Sequence, residues 1–493
     1  MMTAADYLIL ITYVLAVMLT GSFFFRRQKS LREFFLAERN IPWWAAAFSG
    51  IATIVSAISF LGAPGQAFRS DLTFLQYRLM TPVALAIVCF VFIPFFHGLQ
   101  LYTAYEYLER RFDLKTRMLA SGLFVLFKCA FLGIAIYAPS LIVAEIIQVP
   151  MSTIVLAIGA ITTAYTMLGG MRAVIWTDSL QLVVLVAGLL ATAWVVIGHV
   201  DGGWTHVVAV AQRDEKFKFF DLSFDFAREL TLWASLLGGT VLLLSQYGVD
   251  QAEMQRFLTT RSIRTSQGAI VSAMVFSALI GFGLFLIGIA LYVFYQEHPE
   301  KGGFTVPPDR VFPKFIVEEL PPGLTGLVLA GVFAAGMSTV SSILHSLSTV
   351  TMSDFYARLR GAAPPVSLAR LTTIGFGVLC TGIALVADRF GNLLVASTTV
   401  NNLFGGPLVG VFLVGMLTRT ANGTGVCLGA LVGFVGVVAI ATLTSISWMW
   451  YGALSAGLTF GTTLLISPAF AAPSVESLRL VYRQSAVSEE SAA

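Results

Sequence analysis

Four hydroxyls crowd the stretch Ala334-Ala335-Gly336-Met337-Ser338-Thr339-Val340-Ser341-Ser342. Residues three and four apart are neighbours on a helix, so Ala335, Ser338, Thr339 and Ser342 share one stripe and Ser338, Ser341 and Ser342 an adjoining one. Hydroxyls joined by carbonyls freed from a helix suit a small hard cation. The same surface is also an ordinary packing face, where hydroxyls bond back to their own helix. A second stretch, Thr53 to Gly65, interrupts an apolar run with Ser56, Ser59, Gly62 and Pro64. Inside a bilayer such a break is tolerated only where the freed backbone groups face protein, water or an ion. A third stretch, Gly169 to Gln181, carries the carboxylate of Asp178. That residue is either an N-cap, with Gln181 closing a capping box, or a charged ligand facing a bundle interior. Local sequence leaves both readings open.

The elements that must position these groups are transmembrane helices. Hydrophobic residues make up 57% of the 493-residue chain and charged ones 12%, against about 25% charged in an ordinary soluble protein. With about 20 apolar residues needed per crossing, spans are expected at about 5–25, 43–66, 74–97, 118–147, 151–169, 176–198, 231–251, 268–294, 324–353, 367–387, 394–417, 424–444 and 448–470. Thirteen helices make an all-α polytopic membrane protein, a single transmembrane domain over 1–493 with a polar tail from about 471. The first run is not expected to be a cleaved signal peptide, because its basic cluster, Arg26, Arg27 and Lys29, follows it rather than leads it. Cys89, Cys129, Cys380 and Cys427 sit singly in apolar runs, with no metal-binding spacing. A net charge of +3 is too small and dispersed for nucleic-acid binding.

Basic residues orient the chain. With the N-terminus outside, the cytoplasmic segments at 26–39, 110–117, 172, 256–264, 358–370, 419 and 479–483 hold nineteen of the 30 Lys and Arg. The expected topology is N-terminus out and C-terminus in. Two blocks of five helices, about 43–198 and 231–417, would then enter from opposite sides as inverted repeats. One helix leads them and two trail. Each block opens on a helix with small or polar residues at mid-membrane, the second carrying Gly238, Gly239, Ser245, Gln246 and Gly248. Paired discontinuous helices of this kind line the central site of transporters. Glycines in membrane helices also serve packing alone.

Five motifs, in order along the chain, resemble the sodium/solute symporter family. They are Ser56 to Gly62, Thr103 to Phe112, the Gly-Gly…Trp176-Thr177-Asp178…Gln181 segment, Ala335 to Ser342, and Gly405-Gly406-Pro407 through Arg419. In overall look the chain is nearest the bacterial sialic acid carriers. The resemblance implies a LeuT-type fold and sodium-driven import. It implies a first sodium site from the carbonyls of Ala52, Val55 and Ala335 with the hydroxyls of Ser338 and Thr339. It implies a second from Asp178, Ser341 and Ser342, sharing Ser338. Substrate contacts fall on Ser56 and Ser59, and a glutamine of the sialic acid carriers matches Arg78. An arginine of those carriers falls on Phe131, a departure that argues against sialic acid.

Arg78 either points inward, where its guanidinium would pair a carboxylate, or snorkels to headgroups. Gln246 is a candidate for the central cavity. Lys128, deep in its span, is a candidate functional charge, and Glu145 on the same helix is too far away to pair with it. His345 reads as a packed side chain. Asp250, Glu253 and Arg256 read as an ion-pair network at the cytoplasmic end. The expected function is a sodium symporter importing a small polar organic solute, an anion if Arg78 points inward, acting as a monomer in the plasma membrane, with no cofactor beyond the coupling ion. The alternatives are a proton-coupled carrier of the same fold or a transport-like sensor. An enzyme is not expected, since neither GxxxxGK[ST] nor HExxH occurs.

Overall fold

A computed structural model describes residues 2–24, 30–99, 101–387 and 393–481, without the side chains of Glu145 and Ile146. Arg26, Arg27, Lys29 and Arg483, used above for orientation, lie outside the described residues.

Helices dominate the described chain. The long ones are α1 (Ala4–Phe23), α2 (Trp43–Ile54), α3 (Ala57–Arg69), α4 (Thr73–Gly98), α5 (Leu114–Ile147), α6 (Met151–Gly198), α7 (Leu232–Leu244), α8 (Gln251–Leu258), α9 (Ile263–Glu297), α10 (Leu324–Val350), α11 (Val366–Ala384), α12 (Leu393–Leu417), α13 (Gly423–Leu443) and α14 (Trp448–Ile466). Among the described residues, eleven helices are long and apolar enough to cross a bilayer, or twelve if α2 and α3 count as one bent span. Leu8, Leu19, Leu190, Trp194 and Leu443 stand 63–82% exposed on this surface. So many bare large apolar side chains suit lipid rather than water.

The count differs from thirteen separate helices because the runs at 151–169 and 176–198 form one element, α6, of 48 residues. It is non-helical only at Gly170, at φ 59 and ψ −165, a conformation that glycine adopts without a Cβ penalty. Asp178 therefore lies inside a helix. Its N-cap reading is excluded.

The break between α2 and α3 coincides with a local sequence signal. Thr53, Ile54 and Val55 are β-branched and lose χ1 freedom against the preceding helical turn. Val55 leaves the helix at ψ 74, and Ser56 restarts it by accepting the Ser59 N–H. The two halves meet at 56°. The second block opens with a matching break. A wide π turn over Ser245–Val249 ends α7, Asp250 is extended, and its side chain caps α8 by accepting the Ala252 N–H at 2.9 Å. Helix α10 packs along α6 and against both halves of the first broken helix, and it is buried along nearly its whole length. Helix α8 packs on α2 and α10.

Candidate functional site

The serine-rich helix and the first break meet. Ser338 Oγ donates to the Ala52 carbonyl at 2.7 Å, and Thr339 Oγ1 donates to the Thr53 carbonyl at 2.9 Å. Both hydroxyls also lie against the Ala335 carbonyl, at 3.2 and 3.0 Å. Ala52, Ala335, Ser338 and Thr339 are fully enclosed, and Val55 nearly so. Three carbonyls and two hydroxyls thus converge where α2 stops. The Thr53 carbonyl that Thr339 reaches was not among the expected ligands. Each hydroxyl would have only to turn its proton away to offer a lone pair to a cation.

One turn further along α10, Ser342 leads to the carboxylate. Asp178 Oδ2 accepts from Ser49 at 2.6 Å and from Ser342 at 3.2 Å. Its other oxygen, Oδ1, is buried and has no hydrogen-bond partner. A buried carboxylate oxygen left bare is costly, and a cation ligand is one way to satisfy it. Ser341 is nearby in sequence but turns back to the Ser338 carbonyl at 3.0 Å.

Sequence reasoning missed the centre of this cluster. Arg256, expected in an ion-pair network with Asp250 and Glu253, does pair with Glu253 at 3.6 Å, but it also reaches Asp178 Oδ2 at 3.3 Å and is fully buried. Its guanidinium donates to Ser49 at 2.7 Å, to Thr53 at 2.5 Å, and to Ser342 and the Ala252 carbonyl. Ser49 and Thr53 were also missed. Their spacing of four in an otherwise apolar helix was the available signal. The pairing of Asp250 with Lys128 was missed too, because the two residues lie on α5 and beyond α7. Glu145 cannot be compared, since its side chain lies outside the described residues.

The expected substrate contacts are less tightly gathered. Ser56 is buried and occupied as a helix cap, while Ser59 is part-exposed on α3. Gln66 lies seven residues on, along the same face, and lines a cavity of about 660 Å³ with Arg69, Ser70, Glu229, Thr399 and Val400. Gln246 Oε1 and Arg78 Nη1 are buried without hydrogen bonds. Arg78 is part-exposed, lies over the Tyr77 ring and stands beside Tyr247 at the second break. His345 packs against Phe34 and Phe35, as expected. The motif at 103–112 is structural. Thr103 donates to Asp354, and Arg111 ties down the Gly415 and Thr418 carbonyls at the end of α12.

The profile of the sodium:solute symporter family matches residues 34–433. The chain belongs to that family. It is a multi-pass membrane carrier, not an enzyme, and it draws on the sodium gradient to import a solute by alternating access. The sodium/sialic acid symporter NanT of Aliivibrio fischeri is 31% identical to it over 94% of this chain and 93% of its own. A Na+-coupled sialic acid symporter solved in a substrate-bound outward-open state has 30% identity and a TM-score of 0.89, covering 96% of this chain and 99% of that one. Mhp1, a nucleobase-cation-symport-1 family transporter, shares the fold at 14% identity and a TM-score of 0.55, over 91% of this chain and 97% of its own. The LeuT-type architecture expected from the motifs is present.

Proposed function

We propose that this symporter couples two sodium ions to the import of a small polar organic anion. The first ion sits between the α2–α3 break and α10, on the carbonyls of Ala52, Val55 and Ala335 and the hydroxyls of Ser338 and Thr339. The second takes Asp178, Ser342 and Ser341 and shares Ser338. The observation that carries this reading is the contact of Ser338 and Thr339 with the Ala52 and Thr53 carbonyls, at 2.7 and 2.9 Å, across a broken helix. Ser56, Ser59, Gln246 and Arg78 are the proposed solute contacts. The unpartnered Arg78 nitrogen favours an anion, since a guanidinium pairs carboxylates. Sialic acid is disfavoured by Phe131.

In this reading the chain crosses the membrane thirteen times, α6 contributing two crossings, because 48 helical residues span about 72 Å against a hydrocarbon core of about 30 Å. The N-terminus is outside, the C-terminus inside, and the repeats run from about 43 to 198 and from 231 to 417. The 660 Å³ cavity is then the outer vestibule. The carrier works as a monomer in the plasma membrane.

The test is a thermal-shift screen of purified protein against sugar acids, monocarboxylates, sugars and amino acids, in sodium chloride and in choline chloride. An organic acid that stabilises only in sodium supports the proposal, because a ligand that binds the folded state raises its melting temperature. A neutral sugar that does so instead overturns the solute class. In proteoliposomes, Asp178→Asn is expected to lower the Hill coefficient for sodium from about 2 towards 1.

A further inference from the structure

The buried charges around Asp178 do not balance. Among the described residues, Asp178, Glu253 and Asp250 are three buried carboxylates, at 0%, 3% and 6% exposure, facing two cations, Arg256 at 0% and Lys128 at 5%. Lys128 is taken by Asp250. Arg256 is therefore left with two carboxylates, Asp178 Oδ2 at 3.3 Å and Glu253 Oε1 at 3.6 Å. The two seats differ. At Asp178 the guanidinium is held by Ser49, Thr53 and Ser342 as well. At Glu253 neither carboxylate oxygen has a hydrogen bond, although both are buried. A Cβ on Gly50 would come within 3.3 Å of Glu253 Oε2, so α2 closes over this carboxylate. The charges that act on it are Arg256 and Asp250 on its own segment, Lys128 from α5 and Asp178 from α6.

A buried anion without hydrogen bonds is costly unless something occupies it. The guanidinium beside Asp178 also stands where a sodium ligand is proposed, and two cations do not share one carboxylate oxygen cheaply. We propose that Glu253 is the second seat of Arg256: a sodium ion arriving at Asp178 displaces the guanidinium, which swings to Glu253. One added sodium brings the cluster to three carboxylates and three cations. Arg256 is thus a tethered competitor for the ion, and Glu253 is the positioning residue that sets how readily it yields. The swing also exchanges bonds to Ser49 and Thr53 on α2 for one to Glu253 on α8. Sodium binding therefore changes what holds these two half-helices together. This inference rests on the second-sodium reading above.

The experiment is sodium titration of the purified full-length protein by intrinsic fluorescence and thermal shift, with choline chloride holding ionic strength constant. In Glu253→Gln, the sodium step that Asp178→Asn abolishes is expected to weaken by about 10-fold or more, the scale of leaving a buried cation unpartnered. The other step and the melting temperature in choline should stay put, which a merely structural role would not allow. Glu253→Asp should recover most of the loss. In Glu253→Gln/Arg256→Gln the loss should vanish, because no guanidinium remains to be displaced. If the double variant does not fold, the Gln against Asp comparison at 253 still decides. Two wild-type steps with neither moved by Glu253→Gln would overturn this inference alone. A single wild-type step insensitive to Asp178→Asn would remove the second-site reading and this inference with it.

Discussion

The hydroxyl of Ser338 joins two helices whose residues are 286 positions apart, and it does so at the carbonyl of Ala52, the last turn before a break. Removing it deprives the proposed first sodium site of a neutral oxygen. A buried hydrogen-bonding group that loses its partner costs about 1–3 kcal/mol, so Ser338→Ala should raise the sodium KM for uptake by about 10-fold, since 1.4 kcal/mol is one decade. Ser346 supplies the control on the same helix. Among the described residues its hydroxyl bonds to its own helix, at the Ile343 carbonyl. Ser346→Ala should leave the sodium dependence within about threefold, the ordinary scale of a substitution that breaks no special feature. Sodium-dependent uptake in proteoliposomes measures both. Equal effects of the two would mean that the hydroxyl stripe is a packing face. At this scale much was legible. The spacing of Ser338, Thr339, Ser341 and Ser342 was enough to say which share a face, because helical geometry is local. Arg256 was not legible, since nothing near it in sequence reveals that Asp178, 78 residues earlier, lies within reach.

Helix α3 is the element whose tilt forms the first break, and α9 holds it. At their crossing the backbones come so close that a Cβ on Gly288 would fall 2.3 Å from the Pro64 carbonyl oxygen. Gly288→Ala must push α3 aside. Overpacking of this kind costs about 1–3 kcal/mol, and the melting temperature should drop accordingly, with weaker sodium stabilisation because α3 begins at the proposed ion site. A variant with unchanged melting temperature and sodium response would show that the α3–α9 spacing does not govern the break. The breaks themselves were readable from sequence. A β-branched run followed by a serine cap marks a place where a helix can stop and restart, although the same Thr-Ile-Val run at 153–155 stays helical within α6. The interruption of α6 was less so. Gly169-Gly170 marked it, but the helix resumes without a new cap, and Asp178 therefore stands in mid-helix rather than at an end.

Across the whole molecule, the proposed sodium and solute sites share parts of one broken helix, so on that proposal the two ligands must report on each other. Linkage requires that sodium raise solute affinity by the same factor by which solute raises sodium affinity. Calorimetric titrations in both orders should agree on that factor. Orientation and access can be read together from Thr399, which lines the 660 Å³ cavity. Cys89, Cys129 and Cys380 are buried and Cys427 is partly so, which keeps the labelling background low. In intact cells, Thr399→Cys should react with an impermeant maleimide added outside, and more slowly once sodium and solute are both present. Reaction only after the membrane is opened would reverse the proposed topology.

Sequence alone determined the membrane class, most of the apolar helices, the broken helix and the hydroxyl face. Each follows from composition, periodicity or capping, which act over a few residues. Tertiary structure alone decided what those faces meet. The union of Ser338 with Ala52, the charge cluster of Asp178, Arg256 and Glu253, and the capture of Lys128 by Asp250 all depend on how helices distant in the chain pack. A buried charge takes its partner from whatever element packing brings beside it, and that choice is not written within one turn of the residue itself.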